Sequence, residues 1–318
     1  MPESLPVRWS EPGVLLVATD LSDLDRLMPH ALEQAAVSQA HLILLHVITV
    51  DAAVLLDELG LAVYDAQEAI SLAEQVLRPW CEVAAARDLE CAAVVREGDP
   101  AQQIREAVQA FSADRVLIGT RNPSKRRKLE LGSVAEQVLR SVHTPVITVG
   151  PEAHLQEEAG DRPPVILHAT TFGETSRPGA ALACQIAAQW GGRLVLLHVA
   201  PHVDEMRRKG QRVGLDSEAM RELKRLSHET AAAGCEGLQI EPRLVHGNRL
   251  IEILATAAEC QASLIVLGIE GERVFDNLTR ERAILQVLAH ARCPVMILRS
   301  PCAITTEAPV SAAAAGRG

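Results

Sequence analysis

Aromatic side chains are scarce, with only 3 Phe, 1 Tyr and 3 Trp in 318 residues. The interior is therefore left to Leu, Val, Ile and Ala, and there is no ring platform on which nucleic-acid bases could stack. Basic residues are also short, 31 against 41 acidic ones, for a net charge of −10. That balance disfavours broad contact with a phosphate backbone or an anionic membrane. No uncharged apolar run reaches the roughly 18 residues of a membrane span, and MPESLPVRWS has no basic region leading into an apolar stretch. The expectation is a cytoplasmic protein with no membrane insertion and no nucleic-acid partner.

The seven cysteines, at 81, 91, 184, 235, 260, 293 and 302, form no CxxC pair and no zinc-type spacing. They read as small buried hydrophobes in a reducing compartment, with a redox role as the minor alternative. Also missing are GxxxxGK[ST], the close glycine triplet of dinucleotide folds, GxSxG and HExxH. Ordinary P-loop hydrolases, dehydrogenases and triad or zinc hydrolases are thereby disfavoured. No catalytic residue and no protein-held metal site is assigned.

What the chain does contain is a duplication. AHLILLHV ending at Val47 is matched by GRLVLLHV ending at Val199, and TPVITV from Thr144 by CPVMIL from Cys293, at offsets of 152 and 149. Gly98, Ile104, Asp114 and Gly119 fall opposite Gly247, Ile253, Ser263 and Gly268 at the same offset of 149. A length about twice that of a common domain fits two copies. The polar stretch 151–164 is the boundary, giving domains at 11–150 and 163–299 and a flexible tail at 300–318.

Within each copy, short Val/Ile/Leu runs alternate with segments of helical spacing. Strands are expected at 13–18, 41–48, 90–96, 115–119 and 145–149, then at 164–169, 193–199, 239–245, 263–268 and 294–298. Helices are expected at 24–39, 65–87, 100–112 and 131–141, then at 177–190, 216–233, 249–261 and 276–290. Runs such as VLLVA and LILLHV do not alternate, as expected for central parallel strands covered on both faces. The fold class is α/β: two tandem three-layer α/β/α domains, each on a five-stranded parallel sheet.

Ligands of open parallel sheets sit beyond the carboxyl ends of the strands. Asp20 follows VLLVAT at such an end, where it can receive a ribose or cap the next helix, a job Ser22 or Asp23 could take instead. GTRNPSKRRKLELGSV opens with Gly119 after a strand and closes with Gly132 and Ser133 at a helix start. First-turn N–H groups and the Ser133 hydroxyl there can donate to phosphate, although a tight turn and a helix start also explain both glycines. The basic run 125–128 lies between them. Gly98–Asp99–Pro100 reads as a turn with Asp99 capping and Pro100 in the first helical turn. His46 and His198, each inside LLHV, read as satisfied buried histidines; His30, His143 and His246 have no identifiable partner in the sequence.

Asp20, the x9 spacing from Asn122 to Gly132–Ser133 and the closing Pro145–Val146 resemble the universal stress protein family, over nearly the whole chain and in two copies. Asn122 departs from that family's second loop glycine, though Asn tolerates positive φ better than most residues. The resemblance implies the adenine-nucleotide alpha hydrolase-like fold and a stress-response regulatory protein. It also implies ATP bound in the N-terminal copy, accompanied by Mg2+. Ala18 and Asp20 would lie at the nucleoside, Val47 beside the adenine, Gly119, Arg121 and Asn122 along the phosphates, and Gly132 with Ser133 at their far end. In the second copy Thr170 is read opposite Asp20, and Glu281–Arg282 fall where glycine and serine belong, so that copy is read as structural. Pairing of the halves through 145–149 and 294–298 is also implied, and a homodimer is compatible with it. A nucleotide-independent scaffold or chaperone-like dimer is the alternative, and slow ATP hydrolysis a distant one.

Overall fold

The computed structural model describes residues 13–49, 66–120, 132–154, 162–201, 215–269 and 280–299. The first half comprises β1 (Val14–Thr19), α1 (Leu24–Ser38), β2 (His41–Ile48), α2 (Ala66–Ala85), β3 (Cys91–Glu97), α3 (Pro100–Ala110), β4 (Arg115–Gly119), α4 (Ser133–Ser141) and β5 (Val146–Val149). The second repeats the plan with β6 (Val165–Thr170), α5 (Ser176–Gln189), β7 (Arg193–Ala200), α6 (Leu215–Ala232), β8 (Ile240–His246), α7 (Arg249–Glu259), β9 (Leu264–Ile269), α8 (Arg280–His290) and β10 (Val295–Arg299). Strand and helix positions follow the apolar pattern closely. The expected start of α8 at 276 lies outside the described residues, which resume at Arg280.

All ten strands form one sheet in the order β3-β2-β1-β4-β5-β10-β9-β6-β7-β8. Within each half every pairing is parallel, and only β5 and β10 run antiparallel. The two five-stranded sheets therefore meet through their last strands inside one chain. At this seam Ile147 faces Met296, and the buried Thr148 hydroxyl donates to the Val295 carbonyl at 3.1 Å. A Cβ at Gly150 would lie 2.7 Å from the Leu288 carbonyl oxygen, so the residue leaving β5 must be glycine for the halves to approach this closely. The pairing covers two strand edges that would otherwise be open templates. The remaining edges are β3 and β8, and β8 carries Pro242 where no inward ladder is interrupted.

Alternate residues of each strand enter two apolar layers that run across both halves. Leu15, Val17, Leu42, Leu44 and Leu117 pack under α1 and α2, in one layer with Leu194, Leu196 and Met296. Leu16, Ala18, Ile43, Leu45 and Ile118 pack under α3 and α4, in one layer with Val195, Leu197 and Ile297. Each fully buried Leu or Ile contributes about 1.5–3 kcal/mol, so small side chains suffice where aromatics are absent. Asp99 caps α3 by accepting from the Gln102 N–H at 2.8 Å with Pro100 in the first turn, and Asn248 caps α7 in the same place.

The order 3-2-1-4-5 places the strand-order reversal between β1 and β4 in the first half and between β6 and β9 in the second. The carboxyl ends of these two pairs are where ligands of such sheets are expected.

Candidate functional site

In the first half, β1 ends at Thr19 and Asp20, with Gly119 closing the neighbouring β4. The Gly132 N–H donates to the Thr120 carbonyl at 3.0 Å, which draws the start of α4 back over the end of β4. Gly132 is the extended N-cap of α4 and supplies no side-chain cap, so the first-turn amides beginning at Ser133 point outward without a side-chain acceptor at the cap position. Ala18, Ile118 and the buried Ala135 and Val138 of α4 share one face of the sheet, and Val47 packs against the same face. The structure thus places Ala18, Asp20, Val47 and Gly119 at the carboxyl ends of the adjacent strands β1, β2 and β4, with Gly132 and Ser133 at the start of α4 beside them. Arg121, Asn122 and the basic run 125–128 lie outside the described residues.

Asp20 is exposed and already has local work. Its Oδ1 accepts from the Ser22 N–H at 3.0 Å and from the Ser22 hydroxyl at 2.6 Å, a turn that shapes the entry to α1. Asp20 therefore shapes the turn and does not cap α1, whose N-cap position is Asp23; the turn occupies Oδ1, one of its two carboxylate oxygens. Leu21 takes φ +70 within the turn and donates its N–H to the Thr19 hydroxyl at 2.9 Å.

The sequence marks Asp23 only as an alternative cap for α1. It sits at the N-cap of α1 without capping it, and instead accepts the Thr19 hydroxyl at 2.7 Å. Its other oxygen lies against Gly119, in the space any Cβ there would need. Glycine at 119 thus accommodates a carboxylate close above it on the α1 side, which a larger residue would displace. Burial raises the Asp23 pKa, and the Thr19 hydroxyl counters this. Arg26 lies 3.8 Å away.

The second half repeats this geometry with different chemistry and corrects one alignment. The His46 Nδ1 meets the Thr19 carbonyl at 3.0 Å, and His198 Nδ1 meets the Thr170 carbonyl at 2.9 Å. The Leu21 N–H bonds to Thr19, and the Phe172 N–H to Thr170 at 3.1 Å. Thr170 is therefore the partner of Thr19, and Thr171 is the residue in the place of Asp20. Both are uncharged, so the second half still has no carboxylate there; the error was one residue of register in the turn. One residue more is inserted before α5, so Thr175 takes the place of Asp23 and its hydroxyl lies against Gly268. Gly271 and the side chains of Glu281 and Arg282 lie outside the described residues. Phe172 stacks on His198 with ring centroids 4.2 Å apart, and burial lowers the His198 pKa. A surface cleft of about 280 Å3 opens beside Phe172 toward α5 and α6, but its Arg177 and Arg225 are already paired with Glu222 and Glu229.

His46 and His198 are thus hydrogen-bonded strand histidines, as read from sequence, but half-buried rather than buried because each lies near the carboxyl end of its strand. His246 differs from expectation: its Nε2 lies 2.8 Å from Asp216 of α6, a partner 30 residues upstream that only the fold brings near. Among the described residues no cluster of three His, Cys, Asp or Glu forms a metal site, and no helix is long and apolar enough to cross a membrane.

Comparison with known proteins matches the universal stress protein family twice, at residues 13–150 and 164–299. A universal stress protein of Methanocaldococcus jannaschii is 27% identical over 143 residues, spanning 42% of this chain and 80% of that protein. The stress response protein NhaX of Bacillus subtilis is 38% identical over 55 residues, 17% of this chain, and the match spans only 33% of NhaX. The crystal structure of a universal stress protein from Archaeoglobus fulgidus superposes with a TM-score of 0.66 at 22% identity, covering 90% of this chain and 98% of that one. At that identity the likeness is one of fold.

Proposed function

The chain belongs to the universal stress protein family, and on that premise we propose that it is a stress-response regulatory protein whose first half binds ATP while the second half is structural. The observation that carries this reading is the convergence of Asp20, Gly119 and the N-terminus of α4 at the β1/β4 strand-order reversal. Amides of a first helical turn without a side-chain cap favour an anion. Asp20, with Oδ1 held by Ser22, keeps its second oxygen for a ribose hydroxyl. Ala18 and Val47 supply the apolar wall for the base, and Arg121 with Asn122 would run along the phosphates. Mg2+ fits as a companion of the phosphates: the described residues hold no cluster of their own for it, whereas a triphosphate brings oxygen ligands with it. The second half offers Thr171 in place of the carboxylate, and its role is to complete the sheet through β10.

A second reading, a nucleotide-independent scaffold, is favoured by the seam itself, which needs no ligand to join the halves. Calorimetric titration of nucleotide-stripped protein with ATP and Mg2+ separates the two. Heat is expected for the parent and should be lost in Gly132→Asp, where a carboxylate faces the phosphates, and reduced in Asp20→Ala. No heat from the parent at high micromolar ATP refutes the binding reading. Equal binding by the parent and Gly132→Asp moves the ligand away from α4.

A further inference from the structure

Six cysteines fall within the described residues, all as free thiols. Cys184, Cys235, Cys260 and Cys293 are buried, whereas Cys81 and Cys91 are half-buried. Cys81 lies on the last turns of α2, and Cys91 is the first residue of β3. The chain reverses after α2 and returns as the outer strand of the sheet, bringing the two Sγ atoms to 2.7 Å. The contact is polarised. The contact with Cys91 holds the Cys81 pKa below the usual thiol value, while the same contact and burial push Cys91 upward. One sulfur is thus prepared as a nucleophile, and the second rests against it as the resolving group.

We propose that Cys81 and Cys91 are a reversible dithiol–disulfide couple at the outer edge of the first half, oxidised by small-molecule disulfides of the glutathione type. The Cys81 thiolate attacks one sulfur of the oxidant, forming a mixed disulfide and releasing one small thiolate. Cys91 then gives up its proton and attacks the Cys81 sulfur, forming the internal disulfide and releasing the second small thiolate. Two protein thiols lose two electrons and two protons, and one small disulfide becomes two thiols. The bond closes a ring over residues 81–91 and ties α2 to β3, a strand paired on one side only. Opening of that edge requires α2 to lift from β3, so oxidation suppresses local unfolding there. Cys91 lies beside Leu42 at the amino end of the parallel strands, away from the carboxyl-end cleft, so the couple is independent of nucleotide binding.

The test uses full-length protein carrying Cys302→Ser, so that every remaining cysteine is one of the six above. Reduced protein is incubated with oxidised glutathione at neutral pH and quenched in acid. Thiols are then alkylated under denaturing conditions, and peptides are mapped by mass spectrometry. A Cys81–Cys91 linked peptide reversed by dithiothreitol, with the four buried cysteines alkylated, is expected. Cys91→Ser should stop at a glutathione adduct on Cys81, and in the linked protein amide exchange across β3 should slow several-fold. The proposal is overturned if Cys81 and Cys91 stay alkylated while a buried cysteine is oxidised. It is equally overturned if the adduct in Cys91→Ser sits elsewhere, or if β3 exchange is unchanged by the link.

Discussion

His168 makes the second half acid-sensitive through a packing exchange between the two copies. It lies on β6 at 1% exposure, and its Nδ1 meets the Val266 carbonyl at 3.0 Å. Its Nε2 is buried without a hydrogen-bond partner among the described residues. The ring rests on α5, with Cε1 2.5 Å from where a Cβ of Gly179 would be. In the first half the corresponding residues are Val17 and Leu27, both fully buried. One copy fills the space from the helix and the other from the strand. Burial pushes the His168 pKa down to about 4 from 6.5. The folded state therefore binds fewer protons than the unfolded state between these values. Stability is complete above pH 6.5 and is lost as pH falls toward 4, by about 3 kcal/mol in total and about 2 kcal/mol by pH 5. The double variant His168→Val/Gly179→Leu restores the first-half pair and removes the titrating group. Urea unfolding followed by Trp190, at the end of α5, with Trp9→Phe and Trp80→Phe as background, measures the effect. The parent should lose about 2 kcal/mol more than the double variant between pH 7.5 and pH 5. His168→Val alone should be weaker at neutral pH because it leaves a void, yet share the flattened pH profile. An equal pH-dependent loss in parent and double variant would refute the reasoning.

His30 on α1 is the first-half counterpart, with its pKa lowered to about 4 by burial and further by His154 and Arg26. His30→Leu, the residue the second half carries at Leu182, should flatten the same pH 6.5 to 4 window when unfolding is read through Trp80. Gly150→Ala places a methyl against the Leu288 carbonyl and should cost about 1–3 kcal/mol, as overpacking does; urea unfolding should split the two halves into separate transitions if the seam couples them. Gly119→Ala forces the Asp23 carboxylate out of its place. It should lower the melting temperature with or without ATP in calorimetry, whereas a purely ligand-contacting glycine would leave the ligand-free melting temperature unchanged.

The strands, helices and duplication were legible because they rest on short-range periodicity and on identities at a fixed offset. The seam was reached through family resemblance; no local pattern distinguishes Val146–Val149 as a strand that pairs with Val295–Arg299. Half of the cleft was legible as well, since Asp20, Gly119 and Gly132–Ser133 belong to motifs with fixed spacing. The misplacement of Thr170 arose because the offset between the copies is not constant, 149 at Gly98 and Gly247 but 152 at Val47 and Val199, and only the repeated Thr–carbonyl–His contacts fix the register at the end of β1 and β6. Asp23 was legible only as a cap candidate, because its partner Gly119 lies 96 residues along the chain. The Cys81–Cys91 contact was hidden for a different reason: a spacing of ten matches no motif until a helix and a strand fold it back on itself.

These differences divide along a physical line that explains why two copies of one fold diverge. The seam and both apolar layers span the halves, so each copy is held to the same strand order and nearly the same volumes. A large residue lost from a helix must be recovered from the facing strand, as Leu27 over Val17 becomes Gly179 over His168. The cleft is under no such constraint. Asp20 and Thr171 both lie at strand ends with solvent on one side, so charge can be gained or lost there without disturbing the core. Asp23 and Thr175 stand between these cases: each must fit against a strand-end glycine, so the space is kept while the charge is not. A carboxylate stands at both 20 and 23 in one copy and at neither equivalent position in the other, where Glu174 is the one carboxylate of the turn, so the two strand ends differ in the number and placement of their charges while the strand order is the same. That difference, more than any difference of fold, separates the proposed binding half from the supporting one.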